Sequence, residues 1–361
     1  MKTVLSIAVV GLGYWGPNLA RVFSQLPGCR LAGLCDKDPE RLNQMRRLYP
    51  DVTRFSDLSS MLRKTNPDAV VIAAPARQHF PLAKEALLAG KHVFIEKPMA
   101  TSTGECRDLI QMASARNLTL MVGHIFLYSA AIRLIQVMIA AGQLGEIRYI
   151  NSQRLNLGLF RNDINVVWDL APHDISIVLS LLGRPPVSVN CQGNASVTRG
   201  VEDVANLSMN FGANRFVTIQ TSWLEPKKIR RMTIVGTDRM IVYDDIEPHE
   251  KIRIFDMRVE PPPHYDNFGD FQYCYHYGDC HIPHIEQEEP LRGMCRHFLD
   301  CINHGTAPLT GGEMGLDVVR ILEACSMSLH ANGGAVLVPS QPAEPVPPLG
   351  LLQPIPASCA C

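Results

Sequence analysis

The stretch SIAVVGLGYWG, residues 6–16, decides the fold of the N-terminal half. It joins a continuous apolar run, typical of a buried strand, to glycines spaced as G-x-G-x-x-G. Gly11 makes the tight turn, Gly13 lets a diphosphate approach the backbone, and Gly16 allows a helix to pack closely. Because the free N–H groups at a helix start bind phosphates, the stretch predicts a dinucleotide site, with a ligand-free glycine turn as the alternative.

A second predicted strand, CRLAGLCD, ends at Asp36, twenty residues after the last glycine of the motif. A carboxylate there accepts a hydrogen bond from a ribose 2′-OH and repels a 2′-phosphate, which favours NAD over NADP as the cofactor. The neighbouring Lys37 weakens that preference. We expect Tyr14 and Trp15, inside the glycine loop, to contact the cofactor, or Trp15 the nucleotide end of a substrate.

Strands and amphipathic helices alternate over residues 1–123, which indicates a parallel sheet covered on both faces. From residue 124 the strands are longer and alternate with a two-residue period, which indicates a mostly antiparallel open sheet with helices on one face. The predicted fold class is α/β, with a Rossmann dinucleotide-binding domain at 1–123 and an α+β domain for substrate binding and oligomerisation at 124–340. We expect residues 259–290 to be irregular and the Pro-rich tail, 341–361, to be disordered.

The composition argues against several functional classes. Lys and Arg total 34 against 35 Asp and Glu, a formal net charge of −1, whereas proteins that bind nucleic acid usually carry a basic excess. No uninterrupted apolar run reaches the roughly 20 residues of a transmembrane helix, so no membrane association is expected. The eleven cysteines are scattered and odd in number, which favours reduced thiols in a cytoplasmic protein.

Lys97 follows the apolar run HVFI, at the carboxyl end of a predicted parallel strand, where the ligands of such sheets bind. Partial burial beside a positively charged nicotinamide lowers the pKa of a lysine. Such a lysine can donate a hydrogen bond to an alkoxide that forms during oxidation of an alcohol. The alternative is a surface lysine at the end of a strand.

The stretch VVWDLAPHDIS, residues 166–176, places Asp169 four residues before His173. Pro172 suits the first turn of a helix, so we expect a helix over 172–183 with Asp169 just before it. An imidazole is a natural base for a secondary alcohol, and a nearby carboxylate can orient it and stabilise its imidazolium form. A histidine bonded to its local backbone is the alternative, whereas a metal site lacks nearby ligands.

The segment YCYHYGDCHIPH, residues 273–284, concentrates cysteine and histidine. Its spacing does not match a C-x2-C pattern with a second half elsewhere, so no metal is expected. We expect this segment to bind or pack near the entrance of the substrate site.

Together with the glycine motif, the stretch AAPARQHFPLAKEALLAGKHVFIEKPMA, residues 73–100, resembles the Gfo/Idh/MocA (glucose–fructose oxidoreductase / inositol dehydrogenase) family. The resemblance covers about residues 5–335. It implies a two-domain NAD(P)-dependent oxidoreductase without a metal, acting on a sugar or cyclitol hydroxyl. It also implies catalytic roles for Lys97, Asp169 and His173. The cofactor-contacting positions expected within the stretch are Ala74, Pro75, His79 and Glu96.

The segment GQLGEIRYINSQRLNLGLFRNDINVVWDLAPHDI, residues 142–175, resembles a subgroup of that family that acts on nucleotide-linked hexoses. The resemblance implies NAD-dependent oxidation of the C3 hydroxyl of a UDP-linked N-acetylhexosamine. Four polar residues before the Asp–His pair are expected to line the substrate cleft with Lys97 and that pair: Arg154, Asn156, Arg161 and Asn165. The alternative for each is a solvated strand or loop residue.

Other functions stay open at this stage. The sugar can be a uronate, or a dTDP-linked 3-keto sugar reduced in the opposite direction, or a free sugar or cyclitol. A non-catalytic dinucleotide-sensing regulator is a different class, and such proteins lose the lysine or the histidine that this chain keeps. The resemblance further implies an aminotransferase that consumes the product for lipid A or another surface polysaccharide. The open sheet predicts a homo-dimer or homo-tetramer.

Overall fold

A computed structural model describes residues 4–260, 273–286 and 288–339. In the N-terminal part, strands alternate with helices along the chain. The strands are β1 Leu5–Val10, β2 Cys29–Cys35, β3 Arg54–Phe55, β4 Ala69–Ile72, β5 His92–Ile95 and β6 Leu120–Val122. The helices are α1 Gly16–Gln25, α2 Pro39–Leu48, α3 Leu58–Thr65, α4 Ala76–Leu88 and α5 Thr103–Ser114.

These strands form one parallel sheet in the order β3-β2-β1-β4-β5-β6. The order reverses between β1 and β4, which is the switch point where doubly wound sheets bind nucleotides. The strands are apolar on both faces because helices cover both, and β1 is buried at every position. The sequence prediction of a Rossmann sheet is confirmed.

The remaining described chain builds a second sheet. Its strands are β7 Ile147–Leu155, β8 Ser188–Asn194, β9 Val204–Asn210, β10 Phe216–Ser222, β11 Ile229–Gly236, β12 Met240–Asp244, β13 Ile252–Glu260, β14 Cys274–His281 and β15 Val336–Leu337. Its helices are α6 Ala130–Ala140, α7 Val166–Leu182, α8 Pro290–His304 and α9 Gly312–His330, and a 3₁₀ helix spans Ile125–Tyr128.

The second sheet has the order β14-β13-β12-β11-β7-β10-β9-β8-β15 and is antiparallel except where β7 meets β10. It confirms the predicted mostly antiparallel sheet. Helices α7 and α9 pack on one face. The other face carries half-buried polar pairs, such as Asn151 with Thr218, and partly exposed aromatic rings at Tyr149 and Phe216.

The prediction of an irregular segment over residues 259–290 is wrong for part of its length. Strand β14 pairs antiparallel with β13 along the outer edge of the sheet. It lies four strand spacings, or about 19 Å, from β7, so its cysteines and histidines are not at the substrate cleft as the sequence analysis expected. The expected disorder of residues 341–361 concerns a segment outside the described residues.

Helix α8, although it follows the second sheet along the chain, packs against the first. The ring of Phe298 lies between those of Phe23 and Phe94, with centroids 6.4 and 5.7 Å apart. All three side chains are fully buried in one hydrophobic core that continues into the second sheet. This core holds the carboxyl ends of β5 and β6 in a fixed position opposite α7.

The described cysteines are all free thiols. None of the described helices combines the length and apolar character that crossing a membrane requires.

Candidate active site

The glycine loop leaves room for a ligand at one of its three glycines. Gly11 has a φ of +87°, and a Cβ there would lie 2.5 Å from the carbonyl oxygen of Ala73. A Cβ on Gly16 would overlap the carbonyl oxygen of Gly11. At Gly13, a Cβ would have a single neighbour within 4 Å among the described residues, the Arg41 guanidinium at 3.7 Å. Since no side chain caps the start of α1, its N–H groups remain available for a diphosphate beside Gly13.

We expect Gly13→Ala to fold with a free energy of unfolding within about 1 kcal/mol of the wild type, because the added methyl meets no backbone. The same methyl occupies the approach of the diphosphate, so the Kd for NADH should rise at least about tenfold. Fluorescence titration with NADH measures that Kd. The matched Gly16→Ala variant should lose stability instead, and unchanged NADH binding in Gly13→Ala would remove the loop from the cofactor site.

Asp36 lies beside the glycine loop at the end of β2. Its carboxylate accepts hydrogen bonds from the N–H groups of Leu12, at 2.5 Å, and Asp38, at 2.9 Å. These bonds hold the carboxylate where the ribose of a dinucleotide bound at the loop would lie. The guanidinium of Arg41, which no sequence motif predicts at this site, is 3.6 Å from the same carboxylate.

Two further loop residues project from the surface. Tyr14 is 81% exposed and Trp15 36% exposed, and their rings meet edge to face at 5.7 Å. Exposed aromatic rings at the mouth of the loop are free to contact a ligand, which remains a prediction for both.

Ala74 and Pro75 lie at the switch point, between the end of β4 and the start of α4. His79 is buried, and its Nδ1 and Nε2 atoms each lie 2.7 Å from a carbonyl oxygen, of Pro98 and Ala74 respectively. The nitrogen that carries the hydrogen donates to one of these carbonyls, so His79 links the turn after Lys97 to the end of β4. The predicted contact of His79 with the cofactor stays a prediction.

Lys97 follows β5 and reaches across to helix α7. Its Nζ donates a hydrogen bond to the backbone carbonyl of Asp169 at 2.7 Å and lies 3.7 Å from the Asp169 carboxylate. Burial lowers the pKa of Lys97, while the charges of Asp169 and Glu96 oppose that shift. The structure thus brings together two predicted residues that are 72 positions apart in the chain.

Helix α7 begins earlier than the sequence analysis expected. It starts at Val166 because the Asn165 side chain accepts from the N–H of Trp168 at 3.1 Å, so Pro172 lies inside it. Asp169 and His173 are consequently an i, i+4 pair on one face of the helix. Asn165, the cap of this helix, also donates to Glu202 at 2.7 Å, and its predicted role in substrate binding stays a prediction.

The carboxylate of Asp169 does not hydrogen-bond to His173, contrary to the predicted orienting role. It accepts from the indole Nε1–H of Trp223 at 3.2 Å and faces the cations Lys97 and Arg161, the latter at 3.6 Å. Asp169 therefore holds Lys97 in place. Trp223, a fully buried residue directly after β10, belongs to no motif that predicts this contact.

His173 is partly exposed, and its ring meets that of Phe126 edge to face at 5.1 Å. Burial, followed by the nearby charges of Lys97 and Arg154, lowers the pKa of His173 well below its ordinary value. His173 is consequently neutral at physiological pH and can accept a proton.

Arg154 is buried in an ion pair, and its predicted role in substrate binding stays a prediction. Its side chain is 5% exposed and forms an ion pair with Asp174, with Nε 2.5 Å from a carboxylate oxygen. Ser152 donates to the same carboxylate at 2.8 Å, and the guanidinium lies 4.5 Å from the Phe126 ring centre. Asp174, which had no assigned role, thus neutralises Arg154 beneath the site.

Arg161, a predicted substrate residue, contacts the carboxylate of Asp169 directly. It is 39% exposed and contacts Asp163 at 3.1 Å as well as Asp169. Asn156 is half-buried in the same loop. Both remain predicted substrate residues.

Glu96 is nearly buried between the ends of β5 and β6, and its carboxyl group closely approaches Gly123. Burial raises the pKa of Glu96 to about 7, although Lys97 lowers it in part. The neighbours named here, Gly123 and Lys97, are protein residues, and the predicted contact of Glu96 with the cofactor stays a prediction.

The raised pKa of Glu96 makes stability depend on pH. The folded state keeps a proton that the unfolded state releases between its ordinary pKa of 4.5 and about 7, so this contribution is complete below pH 4.5 and falls as pH rises through 7. Relative to Glu96→Gln, the wild type should lose about 2 kcal/mol of unfolding free energy between about pH 5 and pH 8. Urea unfolding of both proteins at the two pH values measures this, and a constant difference would contradict the assignment.

A glycine loop with an open phosphate approach, a ribose-facing carboxylate, and a lysine meeting an Asp–His pair define a dinucleotide-dependent oxidoreductase. Residues 5–124 match a family model described as an oxidoreductase family with an NAD-binding Rossmann fold, and residues 132–242 match the GFO/IDH/MocA C-terminal domain. The chain belongs to the GFO/IDH/MocA family of NAD-binding oxidoreductases.

Individual relatives extend this comparison. The chain is 34% identical over 242 residues to the UDP-N-acetylglucosamine 3-dehydrogenase of Acidithiobacillus ferrooxidans, covering 65% of this chain and 72% of the relative. A solved structure of that enzyme matches with a TM-score of 0.75 at 26% identity, over 91% of this chain and 99% of the other. The D-apiose dehydrogenase of Paraburkholderia graminis is 23% identical over 93% of this chain and 90% of its own.

The WlbA dehydrogenase of Bordetella pertussis, solved with NADH and UDP-GlcNAcA, has the same fold. Its TM-score is 0.76 at 21% identity, over 94% of this chain and all of the other.

Proposed function

We propose that this chain oxidises the C3 hydroxyl of a UDP-linked N-acetylhexosamine, most simply UDP-N-acetylglucosamine, to the 3-keto sugar with NAD⁺. The observation that carries the proposal is the contact of Lys97 with the helix that bears Asp169 and His173. The choice of substrate rests on the similarity to a UDP-N-acetylglucosamine 3-dehydrogenase over two thirds of the chain.

The charge of each side chain at the site determines its role in the proposed reaction. Neutral His173 takes the proton of the hydroxyl, and the ammonium group of Lys97 donates a hydrogen bond to the oxygen as negative charge develops there. Asp169 keeps Lys97 charged and in position. NAD⁺, held by the glycine loop and Asp36, would accept the hydride.

The positive charges at the site are partly balanced by a carboxylate of the protein. Asp169 faces both Lys97 and Arg161, so one carboxylate offsets part of two cations at the site. The exposed portion of Arg161 is suited to a sugar hydroxyl, a diphosphate or a uronate carboxylate.

The test is a panel of nucleotide sugars followed by NADH formation or consumption. It contains UDP-N-acetylglucosamine, its uronate, a dTDP-linked 3-keto sugar and the corresponding free sugars, each with NAD(H) and NADP(H). Turnover of UDP-N-acetylglucosamine supports the proposal. Turnover of the uronate or the dTDP sugar instead would identify that sugar as the substrate. Activity confined to free sugars refutes it, and binding of dinucleotide without any turnover points to a regulator.

The proposal extends to two partners. A 3-keto sugar is the substrate of an aminotransferase, and we expect the product to pass by metabolite hand-off to such an enzyme for 3-amino-sugar synthesis, with lipid A or another surface polysaccharide as the destination.

The uncovered face of the second sheet, with its partly exposed rings at Tyr149 and Phe216, favours a homo-dimer or homo-tetramer.

A further inference from the structure

Three buried imidazole nitrogens at the active site have no hydrogen-bond partner in the part of the chain that the structure describes. They are Nδ1 and Nε2 of His124 and Nδ1 of His173. A buried polar atom without a partner costs about 1–3 kcal/mol, so such atoms in a native protein call for an explanation. Both rings lie close enough to Lys97 for its charge to lower their pKa values.

His124 lies in the segment that joins β6 to the 3₁₀ helix. It follows β6 directly after Gly123, which closely approaches Glu96, and only 1% of its surface is exposed. It precedes the 3₁₀ helix but makes no side-chain cap for it. Two residues later, the Phe126 ring contacts the ring of His173. The peptide that carries His124 therefore also supports the proposed base.

The chemistry of the base imposes a requirement on His173. Its ring is partly exposed while Nδ1 is buried, so Nε2 is the nitrogen that a substrate can reach. Nε2 can accept a proton only if the neutral ring carries its hydrogen on Nδ1, and that N–H needs an acceptor. Asp169 does not supply one, because its carboxylate is engaged by Trp223, Lys97 and Arg161.

We propose that His124 is this acceptor, a positioning residue that takes a hydrogen bond from Nδ1–H of His173 and so fixes the tautomer in which Nε2 is the base. When Nε2 gains the hydroxyl proton, the hydrogen on Nδ1 stays in place and the lone pair of His124 stabilises the imidazolium. No proton is lost or gained by His124. The role rests on the proposed function, in which His173 acts as the base.

Two properties of His124 suit it to this role. Burial lowers its pKa to about 3, so the ring stays neutral and keeps a lone pair at any physiological pH. The two rings make no hydrogen bond in this structure, but the torsion that turns a histidine ring is soft. The proposed bond therefore requires a rotation of one of the two rings.

The first experiment reads the tautomer of His173 directly, without turnover. Protein labelled with ¹⁵N-histidine is compared as wild type and His124→Phe, with His173→Asn used to assign the signal. We expect Nδ1 to be protonated and Nε2 unprotonated in the wild type, and the proton to move toward Nε2 in His124→Phe. A proton on Nε2 in the wild type, or the same tautomer in both proteins, overturns the proposal.

The second experiment separates positioning from folding. In His124→Phe, kcat should fall about 100-fold, while KM for the nucleotide sugar and the Kd of NADH stay within about twofold. His124→Gln keeps an acceptor oxygen and should recover at least about tenfold of that loss. The control His92→Phe removes a half-buried imidazole that accepts from Thr119 N–H at the opposite end of β5, and its kcat should not change.

The outcomes also distinguish the two proposals. If His124→Phe retains the wild-type kcat, or if the Gln variant is no better than the Phe variant, the positioning role is refuted. If the wild type turns over no nucleotide sugar but its His173 tautomer depends on His124, the proposed function fails, whereas the hydrogen bond by which His124 fixes the tautomer is confirmed.

Discussion

Replacing Lys97 by methionine is expected to lower kcat by about 10³-fold while the Kd for NADH changes by less than about threefold. The reason is that Nζ, at 2.7 Å from the Asp169 carbonyl and only 12% exposed, is a cation held against the helix that carries the proposed base. Methionine fills a similar volume but cannot stabilise an oxygen that gains negative charge. Steady-state kinetics and NADH titration measure the two quantities.

The matched control is Lys91→Met, at the opposite end of the same strand. Lys91 directly precedes β5 and donates to Asn66 at the surface, 2.6 Å away. Its loss should leave kcat unchanged and alter the unfolding free energy by less than about 0.5 kcal/mol. Activity of Lys97→Met within about tenfold of the wild type would remove Lys97 from its proposed role.

Replacing Arg154 by methionine is expected to destabilise the fold by about 3–5 kcal/mol, because it leaves the carboxylate of Asp174 buried without a counter-charge. The lost contact of the guanidinium with Phe126 acts in the same direction. Chemical denaturation of the variant and the wild type at neutral pH measures the difference.

Two comparisons make this result specific. The double variant Arg154→Met/Asp174→Leu removes both charges and should recover at least half of the lost stability. Arg253→Met breaks an exposed ion pair with Glu250 at 2.9 Å and should cost less than about 1 kcal/mol. If Arg154→Met instead keeps its stability and raises KM for the nucleotide sugar, Arg154 is a substrate residue and its burial has been misinterpreted.

The parts of the fold that the sequence predicts are those with a local signal. The glycine loop, Asp36 and Lys97 each directly follow a short apolar strand, so their place at the carboxyl edge of the sheet follows from the chain order. The strand β14 gave no such signal. Both of its faces are largely exposed, so it lacks the alternation of a half-buried strand, and only its pairing with β13 fixes it.

The errors at the site have two physical origins. Pro172 is suited to the first turn of a helix, but the cap at Asn165 begins the helix earlier. The local sequence does not indicate which of these two residues determines the helix start. The alternation from Ile150 puts residues 152 and 154 on the inward face of β7, but it does not reveal that Arg154 pairs with Asp174 on α7. The contact of Trp223 with Asp169 joins residues 54 positions apart and has no local pattern at all.

The position of Phe298 between Phe23 and Phe94 has a consequence for engineering and evolution in this fold. Because helix α8 completes the core beneath the Rossmann sheet, the first 123 residues do not contain all the apolar surface that their own sheet buries. A chimera that exchanges substrate-recognition modules between relatives must keep residues 290–330 with the N-terminal half. The two halves should accordingly denature in one cooperative transition rather than as separable units.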